Sequence, residues 1–190
     1  RPRLVVGHSA GAAVLLRMAL DGLLDPAAVV SINGALLPLP GLMGRVFPAA
    51  ARCLDRLPGL SRLISFSARR DSVMDGFVEQ TGSAGDAIEL ECYRFLARRP
   101  EHVRAALGMR AAWDLETLEG DLAGLSLPLH LIACGNDRAV PPAQARFLSG
   151  RLSCASLHSV AGLGHLGHEE DPQRFAALLG TIALQHGLPG

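Results

Sequence analysis

The sequence contains no lysine. All 18 of its basic residues are arginine, and 18 acidic residues balance them. A chain without lysine cannot form a Schiff base, a serine–lysine dyad or the lysine contact of a phosphate-binding loop. The balanced charge also provides no strongly basic surface, so we expect no nucleic-acid partner. The nucleophilic and acid–base chemistry that remains open depends on hydroxyl, imidazole, thiol and carboxylate groups.

Cysteines and long apolar runs are also sparse. The cysteines form no Cys-x-x-Cys pair, which favours reduced, mostly buried thiols over a zinc site or a disulfide framework; they are Cys53, Cys92, Cys134 and Cys154. The longest charge-free run, 26–44, is interrupted by proline, asparagine and glycine, so no transmembrane segment is predicted. No basic leader with a cleavage site precedes an apolar segment. We expect a cytoplasmic protein without metal or cofactor.

The short apolar runs that are present alternate with helical patterns. Strands are predicted over 4–6, 27–32, 129–133 and 156–160, and helices over 12–20, 142–152 and 172–186. The run over 27–32 is apolar at nearly every position, which is typical of a strand covered by helices on both faces. The pattern predicts an α/β fold with a parallel sheet.

The stretch 38–126 departs from this alternation. It carries helical periods without a convincing strand, and helices are predicted over 42–57, 71–80, 86–98 and 100–112. We therefore expect a core formed by residues 1–37 and 127–190, and a helical lid inserted as residues 38–126.

A candidate nucleophile follows the first predicted strand. Ser9 lies within Gly7-His8-Ser9-Ala10-Gly11, between an apolar strand and a helix. This is the setting of a nucleophile elbow, whose tight turn requires small neighbours at the positions of Gly7 and Gly11. In such a turn the backbone N–H of Ala10 can stabilise the oxyanion of a tetrahedral intermediate.

A serine nucleophile needs a histidine to take its proton and a carboxylate to orient that histidine. Asp137 follows the third predicted strand and His165 follows the fourth, and loops after parallel strands gather at one edge of the sheet. The order Ser9, Asp137, His165 is that of an α/β-hydrolase triad.

Other residues compete for these two roles. Asp121 precedes its strand, and Glu169 and Glu170 lie where a helix start favours carboxylates. His168 is the rival of His165, but the same helix start explains it. The side chain of His8 is expected to turn away from the serine, with a role in lining the pocket as the alternative. The remaining histidines, His102, His130, His158 and His186, are expected to be isolated.

The elbow, the Gly-Asn-Asp-Arg-Ala-Val-Pro-Pro turn at 135–142 and Gly-Leu-Gly-His at 162–165 resemble the α/β-hydrolase superfamily. Segments 7–13, 31–37, 99–103, 112–115 and 165–170 are similar to the magnesium-chelatase accessory hydrolases of bacteriochlorophyll biosynthesis. In the superfamily several strands precede the elbow, and so does the loop that carries a second oxyanion donor. We therefore expect the N-terminal strands of the fold to be missing from these 190 residues.

The triad implies a serine hydrolase that acts on an ester-like carbonyl, and the expected helical lid would suit an apolar substrate. The resemblance adds a tetrapyrrole-like substrate and magnesium chelatase as partners. It also leaves an alternative, in which the same fold serves as a non-catalytic accessory of magnesium chelatase or as a tetrapyrrole-binding protein.

Overall fold

The structure is a computed structural model that describes residues 2–38, 57, 59–84 and 87–188. The chain divides into two compact units. The first comprises Arg1–Leu37, Thr81–Ala84 and Leu115–Gly190, and the second comprises Pro38–Gln80 and Gly85–Asp114. This division differs from the expected core boundary at residue 127, since the segments Thr81–Ala84 and 115–126 group with the first unit.

The first unit contains a parallel sheet. Its strands are β1 (Leu4–His8), β2 (Ala28–Ile32), β3 (Leu129–Cys134) and β4 (Ala155–Val160), in the spatial order β1-β2-β3-β4. Every residue of β2 and β3 is buried, as their nearly continuous apolar character predicts. The predicted α/β class and the parallel sheet are confirmed.

Helices connect the strands and continue beyond them. In chain order the described helices are α1 (Ala10–Leu20), α2 (Leu60–Ser67), α3 (Asp71–Gln80), α4 (Ala87–Ala97), α5 (Pro100–Ala111), α6 (Leu115–Asp121), α7 (Ala143–Arg151), α8 (Gly167–Glu170) and α9 (Pro172–Gln185), with a 3₁₀ turn at Leu122–Gly124. Within the described residues, no helix combines the length and apolar character needed to cross a bilayer.

Two apolar clusters form the core of the first unit. Neighbouring residues of β2 belong to opposite clusters. Val29 packs in a cluster with Leu16 of α1 and Leu118 of α6. Val30 packs in another with Phe175 of α9. Side chains alternate between the two faces of a strand, so each cluster covers one face of the sheet. The burial of Leu118 explains why α6 belongs to this unit rather than to the insertion.

The second unit is helical in its described part. Helices α3, α4 and α5 match the predictions over 71–80, 86–98 and 100–112, whereas α2 was not predicted and the range 42–56 lies outside the described residues. Arg94 of α4 bonds Asp75 of α3 at 2.6 Å and Glu91 of its own helix at 2.8 Å. The charges of this unit thus include pairs between neighbouring helices.

Three histidines that were expected to be isolated contact one another in the first unit, so that expectation is wrong for them. His130 Nδ1 lies 3.0 Å from His158 Nε2, and His130 Nε2 lies 2.8 Å from His186 Nε2. Parallel pairing of β3 with β4 brings the first two together, and the end of α9 supplies the third. Burial and the two neighbouring imidazoles lower the pKa of His130 to about 4.

The expected burial of the cysteines holds in part only. Cys134 is buried and Cys154 is half-buried, but Cys92 on α4 is exposed, and all three are free thiols. Cys53 lies outside the described residues.

Candidate active site

Ser9 occupies a strained turn between β1 and α1. Its backbone lies at φ 50° and ψ −116°, in a region that costs a residue with a side chain of order 1–3 kcal/mol. Two hydrogen bonds hold this turn on the neighbouring strand and loop: Ser9 N–H donates to the Ile32 carbonyl at 3.0 Å, and Ala35 N–H donates to the Ser9 carbonyl at 3.1 Å. The sequence around Ser9 therefore folds as a tight strand-to-helix elbow.

The two glycines of the elbow differ in what they permit. A Cβ on Gly7 would lie 2.6 Å from the backbone of Ala12, so the close approach of β1 and α1 requires glycine there. A Cβ on Gly11 would meet no atom within 4 Å, so space does not require glycine at that position. The expectation of a small residue holds for Gly7, whereas at Gly11 the structure leaves room for a Cβ.

Asp137 lies in the loop after β3, and its carboxylate is enclosed by donors. One oxygen, Oδ1, accepts hydrogen bonds from the backbone N–H groups of Ala139 and Val140, each at 2.8 Å. The other oxygen, Oδ2, lies 2.8 Å from His165 Nδ1. The side chain is only 1% exposed, so these bonds replace the water that the carboxylate would otherwise bind.

His165 lies in the loop after β4 and uses one ring nitrogen to contact Asp137. Its side chain is 10% exposed. Because Nδ1 faces the carboxylate, Nδ1 carries the proton of the neutral ring and Nε2 is left as the basic nitrogen. The structure thus brings two predicted site residues, Asp137 and His165, into direct contact.

Asn33, immediately after β2, joins the histidine loop to the centre of the sheet. Its Nδ2 donates to the carbonyls of His165 at 2.8 Å and of Gly164 at 3.2 Å. Its Oδ1 accepts from the N–H of Cys134 at 2.9 Å. Asn33 is buried and has a φ of 46°, a left-handed conformation that asparagine tolerates better than most residues. Its side chain therefore fixes the backbone that carries His165.

His8, the neighbour of Ser9, contacts the same loop. Its Nε2 lies 2.9 Å from the His165 carbonyl oxygen, and its ring centroid lies 4.7 Å from that of His165 and 4.4 Å from that of His168. Burial and the two adjacent imidazoles lower the pKa of His8 to about 4. His8 is therefore neutral near pH 7 and can donate its Nε2 proton to the His165 carbonyl, which directly links the elbow and the histidine loop.

The rival residues have other contacts. Asp121 forms an exposed ion pair with Arg17 at 2.6 Å. Glu169 and Glu170 do not open the last helix as expected, because they lie in the separate turn α8, and Asp171 caps α9 by accepting from the N–H of Arg174 at 3.0 Å. Glu170 accepts from the N–H of Gly164 at 2.9 Å, so it supports the histidine loop.

The arrangement has the parts needed for nucleophilic attack on a carbonyl carbon. It contains a hydroxyl on a strained elbow, a histidine whose Nε2 is basic, and a buried carboxylate on the other side of that ring. Ala10 is the first residue of α1, so its N–H has no acceptor one turn earlier in the helix. Among the described residues, no group of three or more His, Cys, Asp or Glu side chains is arranged to hold a metal ion.

Comparisons with known proteins agree with this architecture. A family model described as "Alpha/beta hydrolase family" matches residues 1–178. The chain is 41% identical over 169 residues to the magnesium-chelatase 30 kDa subunit of Rhodobacter capsulatus, covering 88% of this chain and 58% of that relative.

Solved structures show the same fold. An alpha/beta hydrolase fold protein from Burkholderia ambifaria matches with a TM-score of 0.70 at 20% identity, over 93% of this chain and 64% of that chain. A thermophilic esterase matches with a TM-score of 0.68 at 20% identity, over 97% and 66%. The chain therefore spans about three fifths of the length of the first relatives that it matches. On the family match over residues 1–178, the chain belongs to the alpha/beta hydrolase family.

Proposed function

We propose that the protein is a serine hydrolase in which Ser9 is the nucleophile, His165 the general base and Asp137 the residue that orients it. The observation that carries this proposal is the buried 2.8 Å contact between His165 Nδ1 and Asp137 Oδ2, in a loop bonded to His8 beside the strained Ser9. A buried carboxylate on Nδ1 selects the tautomer with a basic Nε2 and stabilises the imidazolium that forms.

The reaction proceeds in two halves. His165 Nε2 takes the proton of the Ser9 hydroxyl while Oγ attacks the ester carbonyl, and the resulting imidazolium returns the proton to the leaving alcohol as the carbon–oxygen bond breaks. His165 then deprotonates a water molecule that attacks the acyl-serine, and Ser9 leaves with the proton restored. The Ala10 N–H stabilises the oxyanion in both halves.

An ester-like, apolar substrate fits this proposal. The helices of the second unit expose large apolar side chains, namely Leu63, Phe66, Phe77, Phe95 and Met109. Where such side chains adjoin one another, they form apolar patches of the kind that bind apolar ligands or partners. A ladder of p-nitrophenyl esters of increasing acyl length tests this substrate class, and we expect kcat/KM to rise with chain length.

Active-site labelling tests the role of Ser9. A fluorophosphonate probe should label the full-length protein and its Ser31→Ala variant but not its Ser9→Ala variant. Ser31 is a matched control because it is a buried serine whose hydroxyl has no hydrogen-bond partner in the described part of the chain. Equal labelling of the Ser9→Ala and wild-type proteins would remove Ser9 from the proposed role.

The assignment of the base is tested by two histidine variants. His165→Ala should lower kcat for ester hydrolysis by about 10³-fold or more, because the triad members act as a unit. His168→Ala should lower kcat far less, since Asp137 contacts His165. The opposite ranking would transfer the role of base to His168.

A second candidate function is a non-catalytic accessory role with magnesium chelatase or with a tetrapyrrole, in the cytoplasm. The similarity to the magnesium-chelatase 30 kDa subunit favours it. The two functions are separated by complementing a deletion strain of a phototrophic bacterium with the Ser9→Ala gene. Normal pigment synthesis in that strain would favour the accessory role, whereas loss of pigment with normal protein levels would favour the hydrolase.

A further inference from the structure

Four residues that precede helix α4, Thr81–Ala84, form a segment without regular structure that groups with the sheet-containing unit. We call this segment the strap. It lies within the stretch of sequence expected to be lid. Ser83 within it is only 5% exposed, which is unusual for a serine outside helices and strands.

The strap contacts both residues that flank Asp137. The N–H of Arg138 donates to the Thr81 carbonyl at 3.0 Å. Gly82 has a φ of +84°, and a Cβ at that position would overlap the carbonyl oxygen of Asn136. The backbone of the strap therefore packs directly on the loop that carries the carboxylate, and only glycine permits this approach.

The strap also contacts both residues that flank His165. The N–H of Leu166 donates to Ser83 Oγ at 2.8 Å. A Cβ on Gly164 would overlap the backbone of Gly82 and come within about 2.5 Å of the Ser83 nitrogen. The two loops are thus held against one short segment on each side of their functional residue.

Glu170 links the strap to the histidine loop. Its Oε1 accepts from the N–H of Gly164 at 2.9 Å and its Oε2 accepts from the N–H of Ala84 at 3.2 Å. One carboxylate therefore ties the end of the strap to the start of the histidine loop by charge-assisted hydrogen bonds.

We propose that the strap positions the His165–Asp137 pair, and that Ser83 is the positioning residue through which it holds His165. This inference rests on the proposed function for its kinetic consequence. Removing the Ser83 hydroxyl leaves the buried N–H of Leu166 without an acceptor, and the loop must shift to find another. A displacement of His165 of about 1 Å is enough to lower the rate of the chemical step by about 100-fold.

Kinetics and a spectroscopic signal test the role of Ser83 together. Ser83→Ala should lower kcat for a p-nitrophenyl ester by about 10-fold to 100-fold with KM little changed, because the contact orients the base and does not touch substrate. Proton NMR should also show a downfield Nδ1–H signal, assigned to His165 by its absence in Asp137→Ala, that weakens or disappears in Ser83→Ala. Ser31→Ala, a buried serine variant in the same unit, should retain both kcat and the signal.

A second variant keeps the test independent of Ser83. Gly82→Ala should reduce the same signal and kcat, since its Cβ meets Asn136, whereas Gly22→Ala should not. Gly22 is the matched control because it also has a positive φ, +70°, but has open space around it. Equal losses in Gly82→Ala and Gly22→Ala would mean that backbone strain alone is responsible, and would overturn the proposal.

The outcomes separate the strap from the proposed function. If Ser83→Ala and Gly82→Ala retain both kcat and the Nδ1–H signal, the strap proposal is overturned while Ser9-dependent hydrolysis stands. If the wild-type protein hydrolyses no ester and takes no fluorophosphonate, the function fails, yet the signal still decides whether the strap orders the pair. A wild-type protein without the signal would also overturn the strap proposal.

Discussion

Replacing Asn33 with alanine should destabilise the protein by about 3–5 kcal/mol, a large fraction of the free energy of unfolding of a typical domain. Asn33 is 4% exposed, and its amide forms three hydrogen bonds that join the ends of β2 and β3 to the histidine loop. The loss should therefore appear as lower stability of the sheet-containing unit.

The magnitude follows from the buried backbone groups that lose a hydrogen-bond partner and from the strain on the backbone. The buried N–H of Cys134 loses its acceptor, which costs about 1–3 kcal/mol. The Gly164 carbonyl loses its donor at 3.2 Å, whereas the His165 carbonyl retains His8 as a donor, so these two together add about 1 kcal/mol. The φ of 46° adds about 1 kcal/mol, because alanine is strained in the left-handed region.

Two further substitutions at Asn33 separate these contributions. Asn33→Gly removes the side chain without straining the backbone and should be less destabilising than Asn33→Ala by roughly 1 kcal/mol. Asn33→Asp keeps an acceptor for Cys134 but turns a carboxylate oxygen towards the carbonyls of Gly164 and His165. At neutral pH it should be at least as destabilising as Asn33→Ala, and it should partly recover at low pH, where the introduced carboxyl can donate.

Urea unfolding followed by circular dichroism, with linear extrapolation to water, measures each change. A loss below about 1 kcal/mol in Asn33→Ala would refute the reasoning, because it would mean that the amide bonds contribute little net stability. Equal stabilities of Asn33→Gly and Asn33→Ala would refute the backbone part alone.

Three further predictions concern single features of the structure. Gly7→Ala should cost about 1–3 kcal/mol by overpacking and reduce fluorophosphonate labelling, while Gly11→Ala should change stability by less than about 1 kcal/mol; urea unfolding distinguishes them. Stability should fall as the pH drops from 6.5 to 4, by about 2 kcal/mol for each of His8 and His130, because their imidazoles bind protons more weakly in the folded protein than in the unfolded chain; His130→Phe should remove the part of this pH dependence that is due to His130. Among the three cysteines that the structure describes, a thiol reagent should modify the exposed Cys92 before Cys134 and Cys154, and mass spectrometry after brief labelling identifies the sites.

The class of the fold could be predicted because buried parallel strands have a simple signature. Continuous apolar runs of five or six residues indicate strands covered on both faces, and β2 and β3 are such strands. Helix α6 was missed because its seven residues contribute a single fully buried side chain, Leu118, to the core. A helix of that length has too few periods to be recognised by its pattern alone.

The candidate site residues were predicted in a different way, from the places of single residues. A serine in a Gly-x-Ser-x-Gly turn, followed by an aspartate and a histidine after later strands, is the pattern on which the proposed roles depend. Contacts such as Ser83 with the N–H of Leu166 have no such signature, since any hydroxyl can accept from a backbone N–H. The contacts among His130, His158 and His186 were not predicted, because these residues come close only when β3 pairs with β4 and α9 returns to the sheet.

One general rule about parallel sheets would have pointed to Asn33. All strands of such a sheet run in one direction, so the residues that follow them lie along the same edge. Ser9 follows β1, Asp137 lies shortly after β3, and His165 follows β4. Asn33 follows β2, the only one of these strands to which no function was assigned, and it holds the loop of His165. An amide at the end of a buried strand therefore indicates a residue that holds the neighbouring loops, because a buried polar group beside a predicted triad must form hydrogen bonds there.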